Sequence, residues 1–256
     1  MQVTSHPRAL ARIAGAFYLA IIIFAAIGYV FVRPEIIVPT DMARTAANLQ
    51  VHGELYRLGL ASVVIADVCN LPVGLIFYEL FKIVSPRLAR ALLVFIAVST
   101  TLEVVNLYYY ISPLFTFTLP EYRAGFDAAA LAALARGSGK LFALGFGFSL
   151  AFFADYCVLT GWLIIRCTFV PKVIGALMVI AGIVYEAHAF AVFLALPEPP
   201  YVLFVGFIAE LSLALWLLIM GVSEARWRSE AASSGGMAVD AQHPNGQLAG
   251  ALAAAE

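Results

Sequence analysis

Five acidic residues lie close to the middle of long apolar stretches of the sequence that contain no lysine or arginine. They are Asp67, Glu103, Asp155, Glu186 and Glu210. An acidic side chain at the centre of a membrane helix costs roughly 2.5–3.5 kcal/mol, so five that faced lipid would together cost on the order of 10–15 kcal/mol. We therefore expect all five carboxyls to face inward, toward contacts between helices.

Buried carboxyls without a basic partner allow three kinds of chemistry. They can be protonated and hydrogen-bonded to one another, or they can line a water-filled path for protons or a cationic substrate. They can also be ionised around a bound cation, where Asn70 and Asn106 would add amide oxygens, because each follows an acid by three residues. Oxygen ligands suit Na⁺, Ca²⁺ or Mg²⁺ better than zinc. The sequence identifies neither a particular metal nor a cofactor.

The composition indicates what kind of protein positions these acids. Hydrophobic residues make up 63% of the 256 residues and charged residues 12%, with a mean hydropathy of +0.94. A soluble domain averages about 45–50% hydrophobic and about 25% charged residues, so the excess apolar surface of this chain must be solvated by lipid. No basic cluster is dense enough to follow a nucleic-acid backbone. We predict an all-α, polytopic transmembrane helical bundle whose partner is the lipid bilayer.

Six apolar runs are long enough to cross a bilayer as helices. They lie near 13–32, 58–81, 91–111, 141–165, 173–196 and 201–221, and together they predict one membrane domain over residues 1–228. Asp41 and Asp127 are predicted N-caps of short amphipathic helices in the outer loops, over 42–50 and 128–136. Residues 229–256 are rich in Ala, Gly and Ser and predict a disordered tail.

The basic residues predict the orientation, because loops on the cytoplasmic side retain positive charge. Nine of them fall on the side of the N-terminus and six on the other. The nine are Arg8, Arg12, Lys82, Arg87, Arg90, Arg166, Lys172, Arg226 and Arg228. We expect a multi-pass protein of the cell inner (plasma) membrane with both termini in the cytoplasm.

Several short segments resemble a known family. They are Arg12-Ile13-Ala14-Gly15, Ile37-Val38-Pro39, Thr45-Ala46-Ala47-Asn48, Arg57-Leu58-Gly59, Asp67, Gly161-Trp162, and Pro171 with Gly175. Over about residues 8 to 220 the chain resembles the uncharacterised bacterial membrane proteins catalogued as domain of unknown function 4386. The resemblance implies six membrane helices and supplies no established activity.

The resemblance draws attention to the outer segment from Asp41 to Arg57. Here Asn48, His52 and Arg57 are more polar than a plain connector requires. The segment is either an interfacial helix that seals the bundle or a lid that binds a substrate above the acids.

The acids favour a small transporter, or a protein that handles protons or cations, with a cation or small molecule as its substrate. A membrane-embedded enzyme is the first alternative, in which two acids hold a metal or act as general acid and base on a lipid-like substrate. A structural or accessory membrane subunit is the second. The sequence specifies neither the substrate nor the oligomeric state.

Overall fold

Residues 6–197 and 202–242 are described by the structure, a computed structural model, and they form helices joined by short loops. In chain order these are α1 (Pro7–Ala26), a π-helical segment (Ile27–Val32), α2 (Arg33–Ile36), α3 (Met42–Phe81), α4 (Pro86–Thr118), α5 (Pro120–Gly125), α6 (Ala128–Arg166), α7 (Lys172–Phe193), α8 (Val202–Ile219) and α9 (Glu224–Gln242). The described part of the chain contains no β-strand. The predicted all-α class is confirmed.

Five of the helical segments are long and apolar enough to cross a membrane. They are Pro7–Ile36, which runs from α1 through α2, and α3, α4, α6 and α7. The segment Phe204–Ile219 of α8 qualifies together with Glu224–Ser233 of α9, across a bend of 98°. Large apolar side chains such as Phe31 (65% exposed) and Tyr108 (74%) cover the outside. Such a surface needs lipid around it, and the chain is a multi-pass membrane protein.

The six long helices form a closed ring in chain order. The first span packs against α3, α3 against α4, α4 against α6, α6 against α7, α7 against α8, and α8 again against α1. Neighbours approach most closely where glycines meet, because a helix without a Cβ lets the next backbone come near. At the contact of α6 with α7, a Cβ on Gly175 would lie 2.7 Å from the carbonyl oxygen of Gly161. Polar side chains from all six helices lie in the interior of the ring.

The spans are longer than the apolar runs from which they were predicted. The Asp41 carboxylate accepts from the Arg44 amide at 2.9 Å and the Asp127 carboxylate from the Ala130 amide at 2.8 Å, so both predicted N-caps are confirmed. The helices that they start do not end at residues 50 and 136. Each continues into the following span, with only a local distortion at His52 (φ −113°, ψ 24°) in α3.

The chain remains helical beyond the last span, where the sequence predicts a disordered tail from residue 229. Gly221, at φ +68°, makes the turn that a side chain would strain, and α9 then runs from Glu224 to Gln242. Trp227 of α9 is fully buried, and its indole donates to the Leu80 carbonyl at 3.0 Å. Glu230 accepts from the amide and hydroxyl of Thr168 at 3.1 and 2.8 Å. Residues 243–256 of the predicted tail lie outside the described residues.

Candidate functional site

A cavity of about 190 Å³ with several polar side chains in its wall lies inside the ring, near the middle of the helices. We call it the central cavity. All six long helices line it, and its polar lining residues are Tyr29, Asp67, Asn70, Ser99, Thr100, Glu103, Ser149, Tyr185 and Glu210. No lysine, arginine or histidine is among the described residues that line it. At about 30 Å³ for each water, the cavity has room for roughly six water molecules or one small cation.

Asp67 and Glu103 form the acidic wall of the central cavity. Both residues are 5% exposed, and they are near enough for their charges to interact. The Tyr29 hydroxyl donates to one oxygen of Glu103. The second oxygen of Glu103, one oxygen of Asp67 and the Thr100 hydroxyl are buried without a hydrogen-bond partner in the described chain. Buried polar atoms normally have partners, so this wall presents three unmet polar groups to whatever occupies the cavity.

Reciprocal hydrogen bonds hold the wall beside Glu103 in place. The Ser99 hydroxyl donates to the Ser149 carbonyl at 2.9 Å, and the Ser149 hydroxyl donates to the Ser99 carbonyl at 3.1 Å. These bonds join α4 to α6 at the depth of the cavity. Because each hydroxyl bonds a backbone carbonyl of the other helix, the position of Glu103 on α4 is fixed relative to α6.

Glu210 brings the third carboxyl, from α8. The Tyr185 hydroxyl donates to it at 2.5 Å, and Tyr18 of α1 lies near enough to interact with it electrostatically. Gly206, one turn earlier on α8, makes room for this arrangement, because a Cβ there would overlap the Tyr185 hydroxyl. Each of Glu103 and Glu210 therefore has a tyrosine donor from another helix, and the bond from Tyr29 to Glu103 crosses the interior of the ring.

The π-helical segment positions Tyr29 for its bond to Glu103. Its wide turn is closed by the bond from the Arg33 amide to the Gly28 carbonyl, five residues back, and the Tyr110 hydroxyl also donates to that carbonyl at 3.2 Å. A Cβ on Gly28 would lie 2.6 Å from the Gly59 carbonyl of α3. Single π-turns inside helices are frequent at functional sites. Here the turn presses the first span against α3 and directs Tyr29 into the ring.

A second cavity, of about 340 Å³, adjoins the first and lies between α1, α6, α7 and α8. We call it the lateral cavity. The two cavities adjoin, because both are lined by Ile21, Ala25, Tyr29, Phe146, Tyr185 and Glu210. The lateral cavity is mostly apolar, and Arg33 is the one basic residue among the described residues that line it.

Asp155 and Glu186 do not belong to either cavity, although the sequence predicts that both face inward. Asp155 is exposed on the outside of α6. It interacts electrostatically with Glu186 of α7, and both line a separate surface pocket of about 320 Å³. The prediction for Asp155 is wrong because it followed small residues at strict four-residue spacing. Such a stripe turns by about 40° at each step, and therefore leaves the helix contact before it reaches Asp155.

The two asparagines predicted to accompany the acids have different environments. Asn70 is half-buried and lines the central cavity with Asp67. Asn106 is buried, and its amide nitrogen donates to the Phe142 carbonyl at 3.1 Å, which joins α4 to α6. It does not line the cavity, although it interacts with Glu103. Asn106 therefore holds the helix that carries Glu103.

The three predicted binding residues of the segment 41–57 lie outside both cavities. The Asn48 amide donates to the carbonyls of Glu35 and Ile36 at 3.2 and 3.1 Å, and so caps the end of the first span. His52 and Arg57 are exposed, and the Arg57 guanidinium lies 5.8 Å from the centre of the Phe115 ring. This geometry matches the interpretation of a segment that seals the bundle rather than the interpretation of a lid.

The acids of the ring do not converge as the ligands of a metal ion. No three His, Cys, Asp or Glu side chains within the described ranges are close enough to hold one. The three cysteines are free, and none lines the central or lateral cavity. In the loop after α6, burial raises the pKa of Cys167 to about 11, so this thiol stays protonated at neutral pH.

Comparison with known proteins places the chain in a family. The model of DUF4386, a domain of unknown function, matches residues 13–221. The chain belongs to the DUF4386 family. No curated protein and no solved structure matches it significantly. In this DUF4386 member, the matched region contains all of the residues that line the two cavities.

Sequence reasoning missed the tyrosines and the arginine of the DUF4386 site. Tyrosines such as Tyr29 and Tyr185 are common in apolar helices, so the sequence does not single them out. The structure shows that their hydroxyls donate to carboxylates. Arg33 stands at the end of an apolar run, where a basic residue is ordinarily a membrane-edge anchor. Gly28, which precedes Tyr29, was the feature of the sequence that could have indicated this part of the site, since a glycine inside a span indicates a close helix contact.

Proposed function

We propose that the chain is a small transporter that moves protons or a small cation through the central cavity, with Asp67, Glu103 and Glu210 as its carboxyl groups. The observation that carries the proposal is the lining of this cavity: three acids, no described base, and buried oxygens without partners. Acidic side chains inside a membrane usually mark ion or proton pathways. A proton or a small cation would neutralise the acids, and a proton or an ammonium group would also donate a hydrogen bond to their unpartnered oxygens.

Replacing Asp67 by asparagine should lower the flux at least tenfold, because the amide keeps the shape of the side chain and removes its charge. The purified chain is reconstituted into liposomes that contain a pH-sensitive dye. A potassium diffusion potential drives proton entry, and small primary and quaternary amines are added outside in turn. Dye fluorescence reports proton flux, and isotope-labelled amine reports uptake.

The matched control is Asp155→Asn, the same chemical change at an acid that lies outside both cavities. We expect this variant to keep at least half of the wild-type flux. Unchanged flux in both Asp67→Asn and Glu103→Gln would exclude the proposed pathway. In that case the variants would be examined for loss of stability only, which is the expectation for a structural subunit.

We further propose that both termini face the cytoplasm of a bacterial inner membrane. Of the nine basic residues assigned to the side of the N-terminus, two lie in α1 before the apolar core, one lies in the loop α3–α4 and two lie near the start of α4. One is the last residue of α6, one is the first residue of α7, and two lie in α9. In the ring all of these positions are at one end. The cytoplasmic side of a membrane protein retains such a cluster.

Labelling of single exposed cysteines should reveal this orientation. A membrane-impermeant maleimide should label Ala124→Cys, in α5, on intact cells, and should label Ala232→Cys, in α9, only after the cells are opened. Both positions are exposed. The wild-type chain gives the background from its own three cysteines. The reverse pattern would show the opposite orientation.

A further inference from the structure

The lateral cavity lies beside a tight contact between the first and last spans. Near the start of α1, a Cβ on Gly15 would lie 2.9 Å from the Ala214 carbonyl, and the Arg12 guanidinium donates to the Ile219 carbonyl at 2.9 Å. Farther along, the lateral cavity lies between the same two helices, with Ala26 on one side and Phe207 on the other. The two helices therefore form a wedge that is closed at one end.

Arg33 lies at the wide end of this wedge with its charge uncompensated. Its guanidinium carbon lies 4.3 Å from the centre of the Phe142 ring, a cation–π contact. Its Nε is buried without an acceptor, and no carboxylate of the described chain is within ion-pair distance of it. Its polar neighbour is the neutral Tyr56 hydroxyl, which donates its own proton to the Tyr110 carbonyl at 2.5 Å. A guanidinium carries five donors, and an anion would supply an acceptor for the buried Nε.

The rest of the cavity is suited to an acyl chain. Its remaining walls are largely aliphatic and aromatic. If each carbon of an acyl chain takes up about as much volume as one water in the liquid, about 30 Å³, the 340 Å³ cavity holds roughly ten carbons. Glu210 closes the inner end and would repel a negative charge there. A molecule with one anionic end and one apolar end can therefore enter in only one direction, with its charge at Arg33.

We propose that the lateral cavity binds an anionic amphiphile, with a carboxylate or phosphate head on Arg33 and an acyl chain along Ala26 and Phe207. This site overlaps the proposed cation pathway at Glu210 and differs from it by Arg33, which attracts the opposite charge at the other end of the lateral cavity. A free inorganic anion is a poorer occupant, since it would lose its hydration beside apolar walls and gain a single charged partner.

Photolabelling tests the site directly. The chain, in lipid nanodiscs, is irradiated with myristate that carries a diazirine in the middle of its chain, and labelled peptides are identified by mass spectrometry. Label should concentrate on α1 and α8 at the lateral cavity. Arg33→Gln should reduce it at least tenfold, because a hydrogen-bonded charge pair is lost. Arg57→Gln is the matched control, since Arg57 also lies over a phenylalanine ring but is exposed, and it should leave labelling unchanged.

Three further arms complete the test. Ala26→Trp should block labelling by filling the cavity while Arg33 remains, and this arm decides the result if Arg33→Gln does not fold. The corresponding diazirine alcohol, which has no charge, should label the cavity less than one tenth as well as myristate. Lysophosphatidic acid should compete with myristate, and inorganic phosphate at millimolar concentration should not. Competition by inorganic phosphate would indicate a small-anion site, and label spread evenly over the lipid-facing helices would exclude the cavity; either result overturns the proposal.

Discussion

Replacing Glu103 by glutamine should reduce proton or cation flux about a hundredfold. Glutamine keeps the size of the side chain but cannot ionise, and removal of a proton-transfer group commonly lowers rates by about 10²–10⁴. We expect the substitution of Glu103 to lower the flux more than the substitution of Asp67, because the Glu103 carboxyl interacts with more side chains. Glu103 accepts from Tyr29 and interacts with Ser149 and Asn106, so side chains of the first span, α4 and α6 hold its carboxyl in place.

Glu186→Gln provides the control for this prediction. It makes the same chemical change on α7, at a carboxyl that lines the separate surface pocket. The initial rate of dye acidification in proteoliposomes measures both variants at equal protein density. If Glu186→Gln lost as much flux as Glu103→Gln, the effect would be general to membrane acids, and the assignment of the central cavity would be wrong.

Replacing Trp227 by alanine should destabilise the fold by about 3–5 kcal/mol, the usual range for a large buried aromatic residue. Trp227 is 1% exposed and packs with the core at the end of α3, and its indole donates to the Leu80 carbonyl. Removing it leaves a void and an unsatisfied carbonyl, and frees α9 from the bundle. The midpoint of thermal unfolding in detergent should fall by roughly 6–20 °C.

Trp162→Ala is the appropriate comparison, because Trp162 is 44% exposed on α6. It stacks with Arg166 at 4.9 Å, and its loss should shift the midpoint by only a few degrees. A shift for Trp227→Ala no larger than that for Trp162→Ala would mean that α9 does not contribute to the stability of the bundle.

The helices were predictable from the sequence because lipid imposes a simple rule. A span needs about 20 apolar residues. Five of the six predicted runs lie in helices long and apolar enough to cross a membrane, and the sixth meets this test only together with α9. The same rule places a penalty on buried acids, and it correctly predicts the inward position of Asp67 and Glu103 and the cavity position of Glu210. This rule, however, predicts how deep a residue lies in the membrane and does not predict toward which side of its helix the side chain points.

That missing angle explains what the sequence did not predict. Asp155 and Asp67 have similar apolar neighbours in the sequence, yet the ring places one outside and the other inside. The tyrosine donors and Arg33 depend on which helix is the neighbour, which is a property of the closed ring. The helix α9 was missed because its small and polar residues have no apolar stripe, and a single buried tryptophan attaches it.

The wide turn between Ile27 and Val32 sets the rotational phase of the first span. The half before it is fixed to α8 at Gly15, and the half after it is fixed to α3, where a Cβ on Gly59 would lie 2.7 Å from Val32. Each residue of an α-helix advances the chain by about 100° and 1.5 Å. One residue fewer in this turn would therefore rotate Arg33 by about a quarter of a circle or more relative to Gly15. The length of this segment, rather than the identity of its apolar side chains, aligns Tyr29 with Glu103 and Arg33 with the lateral cavity.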